Sequence, residues 1–223
     1  MNYAIAIDGP AGAGKSTIAK VLAKELELIY VDTGALYRSI GYYVTNQGIA
    51  LEDTDAIVAA LANLKVELRY VDGVQRVFVN NEDVSDYIRT PAISMAASAV
   101  SAIPAVREYL LATQRDIAAH NSVVMDGRDI GTVILPDAKV KIFLTASPES
   151  RATRRFAELQ EKGDPATYDE VLADMVQRDY NDSHRATAPL KQAQDAVLVD
   201  TSGETLEQSV ARMKAIVAQK LAE

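Results

Sequence analysis

Nine consecutive residues, Gly9-Pro10-Ala11-Gly12-Ala13-Gly14-Lys15-Ser16-Thr17, follow the spacing G-x-x-x-x-G-K-[ST]. Residues of these types in this order can hold a polyphosphate. Glycines let backbone N–H groups approach phosphate oxygens with no Cβ in the way. Lys15 supplies a mobile positive charge for the β- and γ-phosphates, and the Ser16 hydroxyl a ligand for Mg²⁺. This chemistry needs a strand before the loop and a helix after it, so that the first helical amides converge on the anion. Both are legible. Tyr3 to Asp8 is a short apolar run that reads as a buried strand, and Ile18, Val21, Leu22 and Leu26 recur at helical spacing from Ser16 onward. The chain is expected to bind a nucleoside triphosphate.

A second set of side chains suits a second phosphate-bearing ligand. Arg38, Arg107, Arg128, Arg178 and Arg185 are the candidates, because guanidinium is permanently charged and its fork matches phosphate oxygens two at a time. Arg178, Asp182 and Arg185 stand at i, i+4 and i+7, which predicts one shared helical face. An exposed ion-pair ladder and a ligand-facing role both fit that spacing, although arginine before acid is the poorer order for a ladder. Arg151, Arg154 and Arg155 also share a face, at i, i+3 and i+4. Packed like charges repel unless an anion comes between them, so a transferring phosphoryl group and a solvated basic helix are the alternatives there. Ser122 to Asp126 is an apolar run ending in a carboxylate, and Asp129 follows three residues later. Either aspartate could meet Mg²⁺ directly or through water, since that ion prefers hard oxygen ligands.

The elements that position these groups alternate along the chain. Besides Tyr3 to Asp8, the candidate strands are Leu28 to Val31, Ser122 to Met125, Lys139 to Leu144 and Ala196 to Val199. Each is short, apolar and followed by polar or turn residues, as buried parallel strands should be. Helical patterns lie between them, and Leu206, Val210, Met213, Val217 and Leu221 mark a final amphipathic helix. The alternation predicts an α/β fold, a parallel sheet with helices on both faces. Ligands then lie at the carboxyl ends of the strands, where Gly9 to Ser16, Asp32-Thr33-Gly34 and Asp126 to Asp129 all fall. Two stretches interrupt the pattern. Lys65 to Val84 alternates with period two around Asp72-Gly73 and reads as a small antiparallel insertion. Arg151 to about Pro165 belongs to a charged helix with Ser147 as N-cap and Pro148 at its first position, broken at Gly163-Asp164-Pro165, and suits a mobile helical lid. Met95 to Ala102 is small and apolar and reads mostly as a closely packed helix.

Composition narrows the chemistry. The 223 residues contain no cysteine and two histidines, His120 and His184, which excludes thiolate zinc sites, cysteine nucleophiles and histidine metal clusters. One domain spanning 1–223 is expected, with insertions rather than a second independent domain. A net charge of −8 argues against a nucleic-acid groove. No apolar run approaches the length needed to cross a membrane, and no secretory signal is visible at the N-terminus. The expectation is a cytoplasmic monomer that handles small molecules, without nucleic acid or membrane.

Taken together, IDGPAGAGKST (7–17), DTGALYR (32–38), DGRDIGT (126–132), PDAKVKIFL (136–144) and RDYNDSHR (178–185) with Ala188-Pro189-Leu190 make the chain resemble the bacterial cytidylate kinases, nucleoside monophosphate kinases with a phosphate loop. The resemblance covers essentially the whole chain. It implies a three-layer fold of the phosphate-loop type with a five-stranded parallel sheet, a monophosphate-binding insertion at about 62–90 and a lid at about 148–167. It implies that Gly9 to Thr17, with Arg154, bind ATP, and that Arg38, Arg128 and Arg185 hold the CMP phosphate. Ser98, Arg107 and Asp129 are then expected to read the cytosine edge, and Thr33, Arg178 and Asp182 to surround the ribose, with Tyr37 also in the substrate site. Arg151, Arg154 and Arg155 belong to the lid in this scheme. Lys15, Arg128, Arg151, Arg155, Asp182 and Arg185 form the catalytic set, with Mg²⁺ on Ser16. Many relatives carry Ser where this chain has Thr33, and some carry Gly where it has Ser16. The implied reaction is in-line transfer of the γ-phosphoryl group of ATP to CMP or dCMP, in pyrimidine nucleotide metabolism. It needs no general base, because the acceptor phosphate is mostly dianionic at pH 7, so His184 has no assigned role. A kinase of UMP or shikimate is the nearest alternative. A nucleotide-dependent switch or a non-catalytic ATP-binding module is the alternative from another class, and the absence of N-K-x-D counts against a GTPase.

Overall fold

The computed structural model describes residues 2–72 and 74–223; Gly73 of the turn expected at Asp72-Gly73 lies outside the described residues. In chain order the elements are β1 (Ala4–Asp8), α1 (Lys15–Glu25), β2 (Ile29–Asp32), α2 (Thr33–Asn46), α3 (Thr54–Ala60), β3 (Val66–Val71), β4 (Val74–Val79), β5 (Glu82–Asp83), α4 (Pro91–Ser101), α5 (Pro104–His120), β6 (Val123–Gly127), a π-helical turn (Ile130–Ile134), β7 (Val140–Thr145), α6 (Pro148–Glu161), α7 (Tyr168–His184), β8 (Val197–Asp200) and α8 (Leu206–Ala222). The chain forms two compact units, Met1–Tyr30 with Ala118–Glu223, and Val31–Ile117. Among the described residues no helix is long and apolar enough to cross a membrane.

The five expected strands form one parallel sheet in the order β2-β6-β1-β7-β8. In the first unit β1 lies between β6 and β7 and pairs in parallel with both. Its register places Asp8 beside Gly127, so the loops that leave β1 and β6 start next to each other. Continuous apolar runs suit these central strands because both faces are covered. Ile5, Ile7, Val124, Ile142 and Leu144 pack with Ile18 and Leu22 of α1 and Met213 and Val217 of α8. Each such buried aliphatic side chain contributes roughly 1.5–3 kcal/mol. A smaller cluster, Ala152, Leu159 and Val171, joins α6 to α7. Ser147 accepts from the Ser150 amide and Pro148 occupies the first turn of α6, as the sequence predicts.

The second unit carries the antiparallel insertion as a three-stranded sheet, β3-β4-β5. Its hairpin partners run from Val66 opposite Val79 to Val71 opposite Val74. Beneath it α2 and α4 approach closely at Gly41, where an added Cβ would stand 3.0 Å from the Ala97 nitrogen and 3.1 Å from the Ala96 side chain. That contact explains the run of small residues in α4.

Gly9 is the most demanding backbone position. Its φ is +149°, and a Cβ there would meet the Leu144 carbonyl oxygen at 1.9 Å, a backbone atom of β7 with no freedom to give way. Gly9→Ala is therefore expected to cost about 3 kcal/mol or more. Thermal unfolding should show a midpoint lower by about 6–12 °C.

Candidate active site

The phosphate loop is built to leave amides open. Helices α2, α3, α4, α6, α7 and α8 each begin on a side-chain cap, from Asp32, Asp53, Thr90, Ser147, Thr167 and Thr205. Among the described residues α1 has no such cap; Gly14 precedes it in the left-handed region at φ 87°. Its first-turn N–H groups, which have no partner within the helix, are thereby kept for an anion. Lys15 is only 5% exposed, and its Nζ donates to the Pro10 carbonyl at 2.7 Å. Burial, followed by the charges of Arg128 and Arg178, pushes its pKa well below the ordinary lysine value. Ser16 Oγ donates to Asp126 Oδ2 at 2.9 Å, while the Tyr30 hydroxyl donates to Asp126 Oδ1 at 2.9 Å. The serine of the loop and the carboxylate ending β6 are thus adjacent, as the sequence suggests.

The loop after β6 brings the arginines in. Arg128 Nε donates to Asp182 Oδ2 at 2.9 Å. Burial alone would raise Asp182, but the charges of Arg128 and Arg178, helped by Arg185, outweigh it and hold the carboxyl below the usual range. Arg185 Nη2 lies 3.5 Å from Asp129 Oδ1, and its Nε donates to the Ala188 carbonyl at 2.7 Å. Arg128, Asp129, Arg178, Asp182 and Arg185 therefore meet in the first unit. One expectation is corrected: α7 ends at His184, and Arg185 is already extended, at φ −63° and ψ 142°. Arg185 reaches this cluster from the turn after the helix, not from the i+7 position of a shared face.

Asp8, which sequence reasoning did not single out, lies beside the same loop. Its oxygens accept from the amides of Ile130 at 2.7 Å and Gly131 at 2.8 Å. Burial pushes its pKa up to about 6 despite these bonds. In the unfolded chain the group titrates at about 4. As pH rises between those values the unfolded chain loses its proton first, so stability falls, and it levels off above about 6. This contribution is on the order of 3 kcal/mol. Chemical denaturation of wild type and Asp8→Asn between pH 4 and 7 should show the stability of wild type relative to the variant falling by that amount as pH rises.

The three arginines of α6 divide. Arg151 is buried and fully engaged: Nε donates to the Ala146 carbonyl and Nη1 to the Ala11 carbonyl, both at 2.8 Å, and Nη2 donates to Asp179. It ties α6 to the phosphate loop and to α7, and Asp179 supplies the anion that packed arginines require. Arg154 donates to the Thr201 carbonyl at 2.8 Å, and Arg155 pairs with the exposed Glu158 at 3.0 Å.

In the second unit Thr33 opens α2 and is buried, as is Tyr37. Arg38 donates to Asp32 Oδ2 at 2.8 Å, and Arg89, also missed in the sequence, donates to the same oxygen at 3.0 Å. Gly34 makes room for this: a Cβ there would lie 2.9 Å from Arg38 Nη1. Arg107 lies with its guanidinium 5.5 Å from the Tyr37 ring centroid and donates to the Ser101 carbonyl at 3.3 Å. Ser98 is buried one turn before Ser101. An aspartate that closes an apolar strand is the one sequence signal shared by Asp8 and Asp32.

The family model for cytidylate kinase matches residues 5–219. A protein of Caldanaerobacter subterraneus named cytidylate kinase is 54% identical over 209 residues, covering 94% of this chain and 92% of its own. One from Caldicellulosiruptor saccharolyticus is 52% identical over 204 residues, with 92% and 90% covered. Among solved structures, a gluconokinase from Sinorhizobium meliloti superposes with a TM-score of 0.50 at 14% identity, covering 98% of this chain and 94% of its own. An uncharacterised protein from Eubacterium ventriosum gives 0.54 at 13%, with 97% and 99% covered. These two likenesses speak to the fold alone. The family match and the two relatives speak to kinship, and the chain belongs to the cytidylate kinase family.

Proposed function

We propose that this chain transfers the γ-phosphoryl group of ATP to CMP, giving CDP and ADP, with dCMP as a second acceptor. One observation carries the reading beyond family membership. The register of β1 and β6 sets Asp8 beside Gly127, so the phosphate loop with Lys15 and the loop with Arg128 leave the sheet side by side. Cations from two separate motifs thus come from neighbouring loops, which is the arrangement that two meeting phosphates need.

The acceptor phosphate, dianionic near neutral pH, attacks the γ-phosphorus directly. The protein's work is alignment and neutralisation. Lys15 and the amides of Gly9 to Thr17 hold the ATP phosphates, with Arg154 also on the ATP side. Arg128 and Arg185 hold the acceptor phosphate, to which the family pattern also assigns Arg38. Asp129 with Ser98 and Arg107 reads the cytosine edge, and Thr33, Arg178 and Asp182 surround the ribose, Tyr37 lying beneath Arg107. Residues at about 62–90 serve as the monophosphate-binding insertion and about 148–167 as the lid, with Arg155 reaching the transferring group and Arg151 steadying Ala11. A closed lid excludes water, which would otherwise accept the phosphoryl group.

Among the described residues no group of three or more acidic or histidine side chains is placed to hold a metal ion. Ser16 and Asp126 nonetheless present two hard oxygens side by side, which fits Mg²⁺, an ion commonly held by one or two protein oxygens with water and phosphate completing the shell. These two residues would hold it, Asp126 directly or through water; when bound it neutralises phosphate charge. The proposed setting is a cytoplasmic monomer acting on small molecules.

Steady-state assays of CMP, dCMP, UMP and AMP side by side with ATP test the reading. The highest kcat/KM is expected for CMP and dCMP. A preference for AMP would overturn it.

A further inference from the structure

Asp8 is a buried carboxylate that the mechanism above leaves without a role. It closes β1, one residue before the phosphate loop begins, and is 4% exposed. Its two oxygens accept from two successive amides, Ile130 and Gly131, at 2.7 and 2.8 Å. Those amides open the π-helical turn that follows Arg128 and Asp129. A helical turn's first N–H groups need acceptors, and here the acceptor comes from a residue 122 positions earlier in the chain. The match is specific. Two adjacent N–H groups require two acceptor atoms, which a carboxylate provides; a serine offers one oxygen, and an asparagine sets its own NH₂ against one of the two donors. Gly131 lies against this contact, where a Cβ would stand at an ordinary contact distance of 3.4 Å from Asp8 Oδ2.

We propose that Asp8 is a positioning residue for the acceptor: by gripping Ile130 and Gly131 from the end of β1, it fixes Arg128 and Asp129 in register with the phosphate loop. Donor and acceptor loops are then joined by one side chain, and the geometry of transfer is set before either nucleotide arrives. The proposal rests on the CMP kinase reading for the identity of the acceptor.

The test is a kinetic comparison of Asp8→Asn, Arg128→Ala and the double variant. Asp8→Asn should raise KM for CMP by about 10- to 100-fold, the scale of a misplaced binding group, with KM for ATP within about threefold of wild type. Because Asp8 acts in part through Arg128, adding Asp8→Asn to Arg128→Ala should lower kcat/KM by a smaller factor than Asp8→Asn does alone. Asp8→Ser, which leaves one acceptor oxygen for the two amides, should also raise KM for CMP selectively, which keeps the test open if Asp8→Asn folds poorly. Equal rises in both KM values, or effects of the two substitutions that multiply, would overturn the proposal. Should the wild-type protein fail to phosphorylate CMP, the functional reading falls first. The positioning contact is then decided by NMR amide exchange: Ile130 and Gly131 must exchange faster in Asp8→Asn, and unchanged rates at both would sink it.

Discussion

Replacing Lys15 with alanine will leave a folded protein whose turnover of CMP is lower by about a thousandfold or more. The expectation follows from where the lysine stands. Its ammonium is buried, holds the Pro10 carbonyl at 2.7 Å, and faces Arg128 and Arg178 closely enough that they lower its pKa. A cation kept in such company is stabilised when phosphate arrives and is strained before it does. Removing it forfeits the charge expected to meet the β- and γ-phosphates; in the free protein it relieves repulsion from Arg128 and Arg178 and gives up attraction to Asp126 and Asp8. The lost bond to Pro10 costs about 1–3 kcal/mol, which no longer having to bury an ammonium offsets, so the thermal midpoint should move by no more than about 4 °C. Lys15→Arg is expected to be no rescue, because a forked guanidinium does not fit where a single point donor sits against the loop. Single-turnover kinetics at saturating ATP, read beside a thermal melt, separate the two effects. Wild-type-like kcat in Lys15→Ala would remove the phosphate loop from the chemistry.

Much of this architecture was legible in the amino-acid order, and the reason is physical. The central strands are covered on both faces, so Ala4–Asp8, Val123–Gly127 and Val140–Thr145 appear in the sequence as apolar runs whatever their neighbours are. The phosphate loop shows itself because its chemistry needs glycine and lysine at fixed intervals along one stretch of chain. The insertion around β3 and β4 shows itself through period-two alternation. Less legible were contacts whose partners are far apart in sequence. Asp8 and Gly131, and Arg151 and Ala11, are each joined across more than a hundred residues, and no local spacing announces them. Arg151 illustrates the difference. Its helical neighbours Arg154 and Arg155 suggested a cluster waiting for an anion, yet Arg151 is satisfied by Ala146, Ala11 and Asp179. Arg185 illustrates the opposite error: the spacing i+7 placed it on a helix that in fact ends one residue earlier, and the residue arrives at the same cluster by another route.

That route is the basis of the second large effect, in Arg185→Ala. The side chain is 5% exposed, donates to the Ala188 carbonyl at 2.7 Å, and lies 3.5 Å from Asp129. Ala188 itself is held at φ 48°, a left-handed conformation that costs a non-glycine residue about 1–2 kcal/mol. The structure keeps this strained turn in a place where it presents its carbonyl to Arg185, so the guanidinium is fixed from one end while its other end faces Asp129. Such a group is preorganised for anionic oxygen, and its loss should lower kcat by about 10³-fold, equivalent to about 4 kcal/mol of barrier. The effect on folding should be much smaller. Asp182 keeps Arg128 and Arg178, and release of the Ala188 turn returns part of its strain, leaving a net loss of about 1 kcal/mol, or about 2–4 °C in thermal midpoint. Arg185→Lys retains a charge but neither the fork nor the reach to both partners, and should recover only a small part of the rate. Measuring kcat and KM for CMP with the melting curve of each variant distinguishes a catalytic arginine from a structural one. A structural arginine would lose stability first and regain activity on cooling, whereas a group in the transfer site stays slow at every temperature at which the protein is folded. A kcat within tenfold of wild type in Arg185→Ala would exclude it from the site.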